Sequence, residues 1–298
     1  MNFKSILKIF FQGLGAMLAF FISLLAANVV FPLSPEIMKA GESASGFLSA
    51  PLAILFNAAA NALVLLWAAR RSTFKGWKLI GQLLALSFGV QVFQTQIETG
   101  YFLPAFPLLN GNFQLYVLIA RGLVTSLLFV LLVAWMCGGF SKGERPPSAF
   151  VVTAEKAVRQ GAWLAAVYFI LYLLFGYYIA WQFQELRLFY GGPAELNGFI
   201  EQWLSTLMTK PEMPFFQYAR GVVWLLCLVP LFKGFAGGRF ELTALSALAL
   251  ALLPTAQLSF ANPLMPAGVS YGHFWEVLIS TGIYGALCAR FVPQVAAT

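Results

Sequence analysis

Apolar residues run in eight long blocks, at about 8–31, 49–69, 79–101, 113–137, 158–181, 215–233, 241–260 and 273–291, separated by shorter polar stretches. A hydrocarbon core of about 30 Å takes roughly 20 apolar residues in an α-helix. Each block therefore predicts a membrane-crossing helix, because lipid offers the backbone no hydrogen-bond partner and the helix supplies its own. The first block follows Lys4 and Lys8, as a secretion signal would. It is longer than the usual apolar stretch of such a signal and lacks a clean small-residue cleavage site, so it reads as a retained span.

Within the blocks the polar positions keep helical spacing. Ser87, Gln91, Gln94 and Glu98 follow i, i+4, i+7, i+11 in the third block, one face at 3.6 residues per turn. His273, Glu276, Ser280 and Tyr284 do the same in the eighth, Gln114, Arg121 and Thr125 in the fourth, and Gln217, Arg220 and Trp224 in the sixth. Lipid cannot satisfy such stripes, so they are expected to face the protein interior or a wet cavity. Between blocks five and six, Leu196, Phe199, Ile200, Trp203, Leu204 and Leu207 alternate helically with Glu195, Glu201 and Gln202. This predicts an amphipathic helix over about 194–209, packed at the surface or closing a cavity as a lid.

The two halves resemble each other. Gln96, Gly111, Phe113, Val117–Ile119 and Gly122 lie over Gln257, Gly272, Phe274, Val277–Ile279 and Gly282, and the loop 70–76 lies over 233–239. The simplest account is two tandem four-helix repeats, 1–150 and 151–298. An even number of spans per repeat leaves both copies the same way up, related by a pseudo-twofold along the membrane normal.

Composition agrees with the blocks. The 298 residues are 60% hydrophobic and 10% charged, with 30 Phe, and the mean hydropathy is +0.80. That excludes a water-soluble globule, a disordered chain and a disulfide scaffold. The net charge of +7 is a matter of orientation rather than of nucleic-acid binding. Of the 18 Lys and Arg, Lys39, Arg187 and Lys210 fall on one side and Arg121 and Arg220 inside spans, and the rest gather with the chain termini. The positive-inside rule then puts both termini in the cytoplasm, as expected of a bacterial inner-membrane protein.

The absences limit the chemistry. All 11 acidic residues are Glu, there is one His, and the three Cys are far apart. Aspartyl proteolysis, Asp-rich magnesium sites and multi-His metal sites are therefore out of reach, and no cofactor or metal is expected. What remains is the polar set Gln91, Gln94, Glu98, Arg121, Arg220, His273 and Glu276, whose charged members all fall in the outer half of their spans. These residues are expected to converge on one pocket. Three functions fit them. One is binding or transport of a small anionic or amphipathic solute, with the Arg pair holding the anion. Another is a membrane enzyme acting on a lipid-linked substrate at the outer leaflet, with Glu98, His273 and Glu276 as acid-base groups. The third is an accessory subunit whose stripes are only polar glue between helices. Membrane lipids are the expected surroundings in all three. The lack of a recognisable catalytic motif weighs against an enzyme.

Overall fold

The computed structural model describes residues 3–109, 113–141 and 145–296. Gly111, used in the repeat alignment, and Lys142, counted in the charge bias, lie outside that set. The described residues are all-α apart from one two-residue strand pair. Its long helices are α1 (Phe3–Val30), α3 (Ala50–Arg71), the pair α4 (Gly76–Leu84) and α5 (Gln94–Tyr101), α6 (Gln114–Met136), α7 (Ala154–Tyr178), α10 (Met213–Lys233), α11 (Arg239–Ala256) and α12 (Ala267–Phe291). Short helices α2 (Pro35–Ser43), α8 (Gln184–Phe189) and α9 (Phe199–Thr209) lie in the loops at one end of the bundle.

Among the described residues, seven helical segments are long and apolar enough to cross a membrane: Ser5–Val30, Ala50–Arg71, Gly76–Tyr101, Gln114–Met136, Ala154–Gln182, Met213–Lys233 and Arg239–Ser259. The eighth expected span is α12. Its 25 residues give ample length, but Ser270, Glu276, Ser280 and Thr281 on its buried side dilute its apolar character. The bundle is apolar outside as well as inside. Phe11, Leu18, Leu55, Ile170, Phe215 and Leu226 are all exposed, a surface suited to lipid rather than water. The chain is thus built as a multi-pass membrane protein.

Helix α1 packs on α3 and α6, and α7 packs on α10 and α12. In the middle, α11 lies against α12, α3 and the segment between α4 and α5, and that segment also meets α6 and α10. The core where they meet contains Leu65, Leu86, Phe129, Trp224, Phe232, Leu250 and Tyr284. Two hydroxyls on α12 find partners across helices in this core. The Thr281 hydroxyl donates to the Leu250 carbonyl at 2.6 Å and the Tyr284 hydroxyl to the Gly221 carbonyl at 2.7 Å.

The third span is not a regular helix. Residues Ala85–Phe93 form a π-helical segment between α4 and α5. A Cβ on Gly122 of α6 would collide with the Val92 side chain, and one on Gly89 would come within 2.7 Å of Cys227 Sγ of α10. Glycine at both places lets the widened segment sit between its neighbours. The wider turn also shifts the register of the polar stripe assumed at 3.6 residues per turn.

The termini end is tied by backbone. Ser72 and Phe235 form an antiparallel bridge, flanked by Thr73 N–H to the Gly234 carbonyl at 2.7 Å and Ala236 N–H to the Arg71 carbonyl at 2.8 Å. Strand β1 (Phe150–Val151) pairs antiparallel with β2 (Gln294–Val295) beside it. Arg145 donates to the carbonyls of Ala69, Ser72 and Cys137, satisfying helix-end acceptors that would otherwise be unpaired. At the opposite end, helix α9 begins at Phe199, not near 194. The preceding residues are drawn into other bonds, with the Ala194 carbonyl accepting from Arg187 and the Asn197 carbonyl from Tyr177, and Gly198 stands extended as the N-cap.

Candidate functional site

The site lies at the loop end, where α5, α7, α9, α10 and α12 surround a cavity of about 360 Å³. Glu98 sits at the last turn of the third span and Arg220 two turns into α10. They form a two-point ion pair, Nη1 to Oε1 at 2.7 Å and Nη2 to Oε2 at 2.8 Å. The Gln217 side chain accepts from Nη1 at 3.0 Å, and Gln94 Nε2 donates to the Arg220 carbonyl at 3.1 Å. The guanidinium is 5% exposed and the carboxylate 28%. Glu98 therefore faces the cavity, with its counter-charge behind it.

On the facing wall, His273 and Glu276 occupy successive turns of α12. His273 Nδ1 is 2.8 Å from Glu276 Oε2, and Nε2 is 3.0 Å from the Tyr190 hydroxyl. A carboxylate only accepts, so Nδ1 carries the proton of that bond. Nε2 then accepts from the phenol when the ring is neutral and donates to it when the ring is charged, so the chain of three groups survives protonation. Burial, and next the nearby Glu98 and Glu276 charges, hold the Tyr190 phenol well above its ordinary range, so it stays protonated.

The loop that delivers Tyr190 is fixed by a residue that charge counting placed simply on the outer side. Arg187 is 5% exposed. It donates to the carbonyls of Trp181 at 2.6 Å, Gln182 at 3.2 Å, Pro193 at 3.2 Å and Ala194 at 2.6 Å. Gly191, with φ +74°, makes the turn after it.

The remaining walls are aromatic and amphipathic. Tyr172, Tyr177, Trp181, Trp203 and Phe102 line the cavity, together with Gln202, Ser205, Thr206 and Thr209 from α9. Lys210 lies over the Phe102 ring at 4.9 Å, on the rim. Gly176 of α7 opens the space between Glu276 and Trp203, since a Cβ there would lie 3.8 Å from the carboxylate and 3.9 Å from the indole. Among the described residues, no three His, Cys or Glu side chains are grouped to hold a metal ion.

The structure brings Glu98, His273 and Glu276 onto one cavity, with Arg220 and Gln94 directly behind Glu98. Arg121 does not join them. It is half-buried on α6 and donates to Asn28 of α1, away from the cavity lining. The expected single cluster is corrected to that extent. Gln91 is buried but does not line the cavity; its backbone carbonyl accepts from Gln257 Nε2, just past α11, at 3.2 Å. Tyr190, Trp181, Trp203 and Gln202 were not foreseen. Only Gln202 carried a usable signal, as a polar residue on the amphipathic stretch; aromatic residues are too frequent in this chain to stand out.

No protein-family model matches this sequence, and neither a curated protein nor a solved structure matches it. The site's own geometry is therefore the basis for its function.

Proposed function

We propose that this chain is an eight-span membrane protein that binds a small amphipathic solute in the loop-end cavity. The observation that carries the proposal is the cavity itself, which combines a cavity-facing carboxylate, a Tyr-His-Glu chain and aromatic walls under the amphipathic helix α9. An anionic solute has less support than an amphipathic one. The Arg220 guanidinium is taken by Glu98 and Arg121 binds Asn28, which leaves Lys210, among the described Lys and Arg residues, to line the cavity.

The proposal includes two four-span repeats, with both termini in the cytoplasm of a bacterial inner membrane. Supporting the repeat, each main packing of one half recurs in the other. The α1–α3 and α1–α6 contacts match α7–α10 and α7–α12, and α3 against α11 matches the third span against α10. Ser72 and Phe235, equivalent positions in the alignment, pair with each other, as residues on a twofold axis must. The third span carries a π-helical segment ending at Phe93, and the seventh carries Pro254 at the position aligned with Phe93. Supporting the orientation, the termini end is rich in Lys and Arg.

The test is a thermal-unfolding screen of the purified protein in lipid nanodiscs against amphiphiles and polar metabolites. A true ligand at about 100 times its Kd is expected to raise Tm by about 5 °C or more. No shift with any amphiphile would overturn the reading. A second reading, an enzyme acting on a lipid-linked substrate, is favoured by the Tyr190–His273–Glu276 chain, which can pass a proton to or from a bound group. Product formation from the bound ligand would distinguish it.

A further inference from the structure

Resting on the amphiphile reading, we infer that the cavity takes a hydroxyl-bearing, glycoside-like headgroup whose apolar tail leaves past α9 into the lipid. The first argument is the balance of donors and acceptors. Trp181 Nε1, Trp203 Nε1 and Gln202 Oε1 are buried with no hydrogen-bond partner among the described residues, and all three side chains line the cavity. Gln202 is itself 8% exposed, and its other polar atom is used on Thr206 at 3.2 Å. The two indole N–H groups can donate to acceptors on the ligand. Gln202 Oε1, and the lone pairs of Glu98 and Glu276 not used on Arg220 and His273, can accept from its donors. A hydroxyl is both, whereas a phosphate brings no donor at neutral pH and a quaternary ammonium brings neither. Aromatic walls from Tyr172, Trp181 and Trp203 suit the flat apolar faces of a ring bearing such hydroxyls.

The second argument concerns the path of the tail. Helix α9 has two faces. Gln202, Trp203 and Thr206 line the cavity, while Ile200, Leu204 and Met208 are exposed on its other side. Those three side chains, with Glu201, Ser205 and Thr209, form one open face of α9, and Ser205 and Thr209 also line the cavity. The cavity and this apolar face therefore meet along one helix edge. An amphiphile can place its head on one side of that edge and its tail on the other.

The experiment uses the full chain in phosphatidylcholine nanodiscs. Binding is measured by calorimetry below the critical micelle concentration for an alkyl glucoside, an alkyl phosphate and an alkyl trimethylammonium of equal chain length, and for free glucose. The alkyl glucoside is expected to bind saturably and free glucose at least 10-fold more weakly. Trp203→Phe and Gln202→Leu are each expected to weaken the glucoside about 10-fold with Tm unchanged, and Gly176→Leu, which fills the cavity, to abolish binding. Glucose binding as tightly as the glucoside would overturn the tail path and identify a free polyol. Phosphate or ammonium amphiphiles binding in the glucoside's place, with the same sensitivity to Gly176→Leu, would overturn the headgroup while sparing the amphiphile reading. Glucoside binding that all three variants leave unchanged would remove the ligand from this cavity, and absence of binding by every amphiphile would sink both proposals.

Discussion

Arg220 and Glu98 are joined by two hydrogen-bonded contacts, yet their surroundings differ: the guanidinium is enclosed by protein and the carboxylate borders the cavity. The pair is thus a buried cation with a partly wet anion, and its two members are not equivalent to mutation. Glu98→Gln leaves an uncompensated buried guanidinium and is expected to cost about 3–5 kcal/mol. Glu98→Gln with Arg220→Met removes both charges and is expected to recover most of that loss. Denaturation midpoints of the two variants in nanodiscs check this. If the double variant is no more stable than the single, the guanidinium is not the source of the cost.

Arg121 tests whether the intramembrane charges act as one network. It bonds Asn28 rather than Glu98. Effects of residues without shared partners add within about 0.3–0.5 kcal/mol. Arg121→Gln and Glu98→Gln are therefore expected to be additive in a double-mutant cycle. A coupling above about 1 kcal/mol would show that the two charges share a site after all.

Helical spacing was enough to put Glu98, Arg220, His273 and Glu276 at one end of the bundle, because an ionisable residue in a span has few places to go. It could not separate Arg121 from them. Arg121 lies at a similar depth, but its partner Asn28 belongs to the first span, where no polar stripe marks it. Nor could it show the π-helical segment. A stripe drawn at 3.6 residues per turn runs through Gln91, which lies inside that segment, to Gln94, which follows it and whose side chain reaches the Arg220 carbonyl. Arg187 was legible only as a positive charge outside the spans. Its burial depends on four carbonyls presented by the folded loop, which no periodicity encodes.

That loop provides a third prediction. Arg187→Ala leaves the carbonyls of Trp181, Gln182, Pro193 and Ala194 without their common donor. Hydrogen bonds to charged groups are worth about 1.5–3 kcal/mol, so local stability is expected to fall by at least about 2 kcal/mol. Hydrogen exchange should quicken over residues 180–198 while α3, α11 and α12 keep their protection. Uniform loss of protection across the bundle would show instead that the loop and the spans unfold as one unit.

The π-helical segment is held by close packing with Gly122. Gly122→Ala is expected to destabilise by about 1–3 kcal/mol through collision with Val92. Val92→Ala should restore much of this in the double variant, although alone it costs packing. Failure of the second substitution to rescue the first would mean that Gly122 serves the helix backbone rather than the fit to Val92.

Tyr190 separates a binding site from a reacting one. Its hydroxyl ends the chain through His273 to Glu276, and burial keeps its proton in place. Tyr190→Phe removes one hydrogen bond and leaves the edge-on ring contacts with Phe102, Phe189 and His273. If the chain only orients the cavity wall, ligand affinity should fall about 5-fold, the equivalent of about 1 kcal/mol. His273→Gln, which retains a donor and an acceptor, should then behave similarly. If the chain moves a proton to or from a bound substrate, affinity should change little while turnover falls by 10²-fold or more in both variants. Parallel measurement of binding and product formation on the same preparations decides between them. Unchanged affinity with no turnover in the unsubstituted protein would remove the chain from both roles and leave it as a support for the 180–198 loop.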